Sequence, residues 1–199
     1  MKTRHEPAKI RAAIKEKYAL ISASASGRFT YPTGLEGAQL LGYDPGVLSA
    51  IPAEMMASFC GVGNPFRAGV VHAGEVLLDI GCGAGLDLIV AGRYLGPTGR
   101  SCGIDLTSEM ASLATRNAAA VGLAKVEVQE GSVESIPYEA ETFDAVISNG
   151  VLNLSPEKEL AFAEIARVLA PGGRLQFADI ILEGDQARES PWSLEAWSD

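Results

Sequence analysis

The stretch VLLDIGCGAGLDLIVAG, Val76 to Gly92, decides the fold. An aliphatic run from Glu75 to Ile80 is the length of a strand buried on both faces, and it stops at Gly81, Gly83 and Gly85. Leu86, Ile89, Val90 and Tyr94 then recur at helical spacing. Strand, glycine turn and helix in that order open a βα unit. Asp79 stands just before the glycines, so the turn begins beside a carboxylate.

Working downstream, the pattern repeats. Gly99–Asp105, Val126–Gln129, Phe143–Ser148 and Arg174–Ile180 read as strands. Met110, Leu113, Ala114, Asn117, Ala118 and Val121 form a helical stripe, with Thr107 as its N-cap. Ser155-Pro156-Glu157 reads as a helix start, Phe162, Ile165 and Leu169 as that helix's apolar face, and Pro171-Gly172-Gly173 as its end. Alternating strands and helices imply right-handed crossovers and a doubly wound, mostly parallel α/β sheet. Upstream, Ile10, Ala13, Ile14, Tyr18 and Ile21 predict an amphipathic helix over Pro7–Ser22, and Ala23–Gly46 reads as loop. The expected division is an N-terminal helical and loop extension, 1–70, as a candidate lid, followed by a ligand-binding domain, 71–199.

The chain has 199 residues, 47% of them hydrophobic and 21% charged, which suits one sizeable globular core. No apolar stretch reaches the ~18 residues of a membrane span, and the N-terminus lacks a signal-peptide core, so a cytoplasmic protein without a membrane partner is expected. Cys60, Cys82 and Cys102 are too few and too scattered for a disulfide framework or a closed zinc site, so no metal is expected. A net charge of −9 argues against nucleic acid as a partner. The exception is the first seventeen residues, where Lys2, Arg4, Lys9, Arg11, Lys15 and Lys17 crowd together; they read as the solvated face of the first helix.

Doubly wound sheets bind ligands at the carboxyl edge of their strands. Four segments follow strands here: Asp79–Gly85, Ile104–Thr107, Glu130–Val133 and Ser148–Gly150. A dinucleotide site would need G-x-G-x-x-G with a pyrophosphate on the helix N-terminus, whereas the spacing here is G-x-G-x-G. A pyrophosphate beside Asp79 would set like charges together in a partly dry site. Asp105, 24 residues after Gly81, suits the two hydroxyls of a ribose and repels a 2′-phosphate. The cradle fits a nucleoside with a positive centre and no phosphate, which describes S-adenosylmethionine. The glycines alone also fit tight strand–helix packing, and Asp79 or Asp105 alone also fits a helix cap.

LLDIGCGAGLD, GIDLTSEM, FDAVISN and IARVLAPGGRL together resemble the class I S-adenosylmethionine-dependent methyltransferases, whose fold is Rossmann-like. IPAEMMASFCGVGNP, GPTGRSCGIDLTSEM, EGSVESIP and ISNGVLNLSPEKE narrow the resemblance to the arsenite methyltransferase-like branch. The resemblance implies a small-molecule methyl acceptor. It places Asp79, Gly81, Cys82, Gly83 and Gly85 at the methionine end of the cofactor, Asp105 on the ribose, and Leu106, Ser132 and Val133 around the adenine. Asn149 falls beneath the methionine near the methyl. Cys60 and Asn149 are the candidates for a catalytic role, and neither His5 nor His72 reads as a general base. Where that branch carries thiols, this chain holds Val62 and Gly150, with Cys60 two residues from the first. The fold of the class ends with an antiparallel strand pair that the eighteen residues after Ile181 are too short to supply, so a truncated piece or closure by a homodimer is expected. A quinone- or sterol-type carbon methyltransferase and a non-catalytic cofactor-binding protein are the alternative readings.

Overall fold

A computed structural model describes residues 6–123 and 125–181. In chain order the elements are α1 (Pro7–Ile21), α2 (Gly34–Leu40), α3 (Pro45–Ser49), β1 (Val76–Ile80), α4 (Leu86–Leu95), β2 (Arg100–Asp105), α5 (Ser108–Ala120), β3 (Val126–Glu130), β4 (Phe143–Asn149), α6 (Lys158–Val168) and β5 (Leu169–Ala178). The five strands form one sheet in the order β3-β2-β1-β4-β5, and every pairing is parallel. The order reverses between β1 and β4, which places the switch point beside the glycine turn. The sheet is the doubly wound, parallel α/β arrangement that the strand–helix alternation predicts. The expectation for the chain after Ile181, including the missing strand pair, lies outside the described residues. Among the described residues no helix is long and apolar enough to cross a membrane.

Strand alternation sorts the core into two faces. Leu78, Ile80, Cys102, Ile104, Phe143 and Val146 bury one face against Ala161, Ile165 and Val168. Leu77, Ala145 and Ile147 bury the other against Ala91 and Leu95 of α4. The extension does not stand apart: Ala38, Tyr43, Leu48, Ile51, Met56 and Phe59 share a core with Leu86, Ile89 and Val90 of α4. Gln176 of β5 fastens the same extension by donating to the carbonyls of Pro65 and Gly69 at 3.1 and 3.0 Å.

Four local expectations are corrected. The loop-like stretch to Gly46 contains α2, because Ala38 is buried against the α4 cluster and tertiary packing outweighs three glycines within nine residues. Helix α6 starts at Lys158 instead of Ser155: Leu152–Leu154 forms a 3-10 turn, and the Ser155 hydroxyl donates to Glu134 at 2.7 Å. Strand β5 starts at Leu169, and Pro171-Gly172-Gly173 is a bulge within it, between the pairs Phe143↔Leu169 and Ala145↔Arg174. The basic face of α1 is not wholly solvated. Arg11 pairs with Glu157 at 2.9 Å and Lys15 with Glu130 at 2.7 Å. The apolar side of α1 is buried as expected, through Ile10, Ile14 and Ile21.

Candidate active site

The glycine turn is shaped by what it touches. Gly81 and Cys82 both donate to the carbonyl of Ile104, at 2.8 and 3.0 Å, which folds the turn back onto the end of β2. Gly81, Gly83 and Gly85 all have positive φ, at 68°, 52° and 89°, a region that side-chain-bearing residues rarely enter. A Cβ on Gly81 would strike Val151, whereas one on Gly83 would meet no atom within 4 Å. The backbone at Gly83 is thus open to close approach by a ligand.

Asp105 braces that turn. One carboxylate oxygen accepts from the Gly83 N–H at 2.9 Å, and the other accepts from the Thr107 N–H and hydroxyl, both at 2.9 Å. Burial pushes its carboxyl up, and these bonds from Thr107 and Gly83 oppose the rise. Thr107 is the N-cap of α5 as expected, accepting from the Met110 N–H. Asn117 donates to the Ala84 carbonyl at 2.9 Å and fixes the far side of the turn.

A cavity partly open to solvent lies at this edge. It brings together Gly81, Cys82, Gly83, Asp105, Leu106, Ser132, Val133, Asn149 and Cys60, so the four strand ends and the extension converge as the sequence predicts. Two expected residues behave differently. Gly85 serves packing, as the φ +89° start of α4 beside Ala114. Asp79 does not line the cavity; it alternates with Leu78 and Ile80, so it faces α4, and it is 1% exposed. Its Oδ2 is buried without a hydrogen-bond partner. Burial, then Asp87, then Asp105 push its carboxyl well above the ordinary carboxylate range. The carboxyl groups that line the cavity itself are those of Asp87 and Asp105.

Asp87, in the first turn of α4, did not stand out in the sequence. Tyr43 donates to its Oδ1 at 2.6 Å, and Asn149 donates to its Oδ2 at 3.1 Å. Burial pushes its carboxyl up to about 6, and those two bonds hold it from rising further. Glu134 was missed as well. It lines the cavity, accepts from the hydroxyls of Ser132 and Ser155, and lies 3.8 Å from Arg11. Only long-range folding joins these groups, so no local pattern announces them.

The three cysteines are unpaired. Cys82 turns its side chain toward Leu88 and Ala114, and Cys102 lies in the core of β2. Cys60 touches the cavity, but burial pushes its thiol up to about 12, so at neutral pH it is a thiol and not a thiolate. Tyr31 donates to the Cys60 carbonyl at 3.0 Å from behind the cavity wall. His72 is exposed, ahead of β1 at the opposite edge of the sheet, and His5 lies outside the described residues.

A family model described as a methyltransferase domain matches residues 71–198. The chain belongs to the methyltransferase domain family. It is 34% identical over 190 residues to an arsenite methyltransferase of Halobacterium salinarum, across 88% of this chain and 48% of that protein. It is 33% identical over 105 residues to a demethylmenaquinone methyltransferase of Oceanobacillus iheyensis, across 53% of this chain and 44% of that one. An arsenic(III) S-adenosylmethionine methyltransferase of Chlamydomonas reinhardtii superposes with a TM-score of 0.65 at 34% identity, over 75% of this chain and 54% of the other. The chain thus spans about half the length of the curated relatives it matches. S-adenosylmethionine is the cofactor of this methyltransferase family. The residues fit it: Gly83 offers an open backbone floor, and the acidic side chains of Asp87 and Asp105 at the cavity suit a cation and disfavour phosphates.

Proposed function

We propose that this chain is an S-adenosylmethionine-dependent methyltransferase with a small-molecule acceptor, of the arsenite methyltransferase-like kind. The observation that carries the reading is the cavity at the switch point, floored by Gly83 and flanked by Asp105. When bound, the cofactor supplies an electrophilic methyl group on a sulfonium. Asp105 receives the ribose hydroxyls, the Gly81–Gly83 backbone borders the methionine end, and Leu106, Ser132 and Val133 wall the adenine. In such a displacement the leaving group needs no proton, so the protein's work is alignment and exclusion of water, with up to ~7–11 kcal/mol available from alignment in ideal cases. Helix α1 acts as the lid, since Arg11, Ile14 and Tyr18 all line the cavity. A net charge of −9 and three free thiols support a small acceptor and a reducing, cytoplasmic setting.

The acceptor is the open variable. Trivalent arsenic is soft and favours two or three thiolates. Among the described residues only Cys60 brings a thiol toward the acceptor side, and it is protonated. Val62 and Gly150, where the resemblance implies thiols, are neighbours: a Cβ on Gly150 would lie 3.3 Å from Val62. A quinone-type acceptor is favoured by the apolar wall of Ile14, Met55, Phe59, Val151 and Leu154, and by the match to a demethylmenaquinone methyltransferase. A turnover screen with methyl-labelled cofactor over arsenite, small thiols and quinones tests both. Label in one acceptor class assigns it; cofactor binding with label in none of them supports a binding protein without catalysis.

A further inference from the structure

Strand alternation puts Asp79 and Asn149 on one face of the sheet, at the cavity ends of the Leu77 and Ala145–Ile147 rows. What Asn149 does there is set by its partners. Its carbonyl oxygen accepts from the N–H groups of Val62 and Gly63, at 2.9 and 3.1 Å. Its amide nitrogen donates to the Gly63 carbonyl at 2.9 Å, the Tyr43 hydroxyl at 3.0 Å and Asp87 at 3.1 Å. The two backbone donors fix the amide's orientation, since only the oxygen can face them. Both ends of the carboxamide are engaged by protein, so none of its hydrogen-bonding capacity is directed at a cofactor.

The 60–64 segment is built for this seat. A Cβ on Gly61 would collide with the Asn149 carboxamide, and one on Gly63 with the Ala178 side chain. The segment therefore lies flat against the ends of β4 and β5, while Cys60 and Gly61 face the cavity. Tyr43 is held in turn by edge-on contacts with Phe59 and Phe66, at ring separations of 5.7 and 6.3 Å. Strand order places Asp105 and Val133 at the β2–β3 end of the cavity and this segment at the β4–β5 end.

We propose that Asn149, steadied by Asp87 and Tyr43, is a positioning residue that clamps the Cys60–Asn64 segment as the acceptor-side wall of the cavity, and is not a ligand of the cofactor. The wall's role in acceptor binding rests on the methyltransferase reading above; the clamp itself does not. A docked wall keeps the Cys60 thiol protonated and slow to alkylate, whereas an undocked one exposes it.

The test is iodoacetamide labelling of the full chain at pH 7.5, with each cysteine followed by peptide mass spectrometry, alongside calorimetry with S-adenosylhomocysteine. Asn149→Ala is expected to label Cys60 about tenfold faster, the equivalent of about one pKa unit in the thiol, with Cys82 and Cys102 as protected as before. S-adenosylhomocysteine affinity should stay within about threefold, less than the loss of one direct hydrogen bond. Tyr43→Phe keeps the ring contacts and removes only the hydroxyl, so a smaller acceleration confined to Cys60 is expected. Parallel acceleration at all three cysteines would mark a general loss of structure and overturn the clamp. Unchanged Cys60 labelling, or a tenfold loss of S-adenosylhomocysteine affinity with Cys60 still protected, would overturn it as well. Failure of the unaltered protein to bind S-adenosylhomocysteine would count against the methyltransferase reading and leave the Cys60 result to judge the clamp.

Discussion

Asp105 serves two purposes at once: it accepts from Gly83 and Thr107, and its remaining lone pair is available to the cavity it lines. Asp105→Ala should weaken S-adenosylhomocysteine binding about tenfold or more, as expected for one charge-assisted hydrogen bond; unchanged affinity by calorimetry would remove Asp105 from the site. Asp79 makes the opposite prediction. Burial raises its carboxyl well above the ordinary range, so folding opposes its ionisation, and Asp79→Asn should raise the unfolding free energy more at pH 7 than at pH 4; an equal effect at the two pH values would contradict the raised carboxyl. Asp87 adds a pH dependence of its own. Its folded carboxyl titrates near 6, above its unfolded value, so its contribution to stability is full below about pH 4 and is lost as pH rises through 6. Thermal unfolding between pH 4.5 and 7.5, set against Asp87→Asn as reference, should show that loss, and a rise instead would contradict it. The residues that the sequence made legible, Gly81, Gly83 and Asp105, act through local turns and strand ends. Tyr43, Asp87 and Glu134 escaped because their partners lie far along the chain, with Tyr43 and Asn149 separated by 106 positions.

Helix α1 is fastened by its apolar side more than by its ion pairs. Ile14 is 6% exposed and packs toward Leu154 and Leu106, whereas Lys15 and Glu130 are both about half exposed, at 47% and 49%. Ile14→Ala should cost about 2 kcal/mol or more in urea unfolding and Lys15→Ala less than about 1; the reverse order would make the ion pairs the true latch. This helix was readable from its 3.6-residue periodicity alone. The start of α6 was not, because Ser155 is drawn to Glu134 across 21 positions, and neither was the bulge in β5, whose glycines look like a helix end until β4 is laid beside them. The short helix α2 was hidden for a related reason: its seven residues form a helix only when Ala38 is buried against α4.

The sheet order β3-β2-β1-β4-β5 is what turns four separate loops into one cavity. Alternating strands and helices made the parallel sheet and the carboxyl edge of the candidate site readable before any coordinates, whereas the strand order itself was not. How the extension closes the cavity was not, since 87 residues separate Val62 from Asn149. The account stands on an acidic, glycine-floored cradle that accepts a cationic nucleoside and refuses a diphosphate. Calorimetric titration of the purified chain with S-adenosylmethionine, S-adenosylhomocysteine and NAD tests this in one series. Saturable binding of the two sulfur nucleosides, with no heat from NAD, is the predicted result; binding of NAD with none for the sulfonium compound would contradict it.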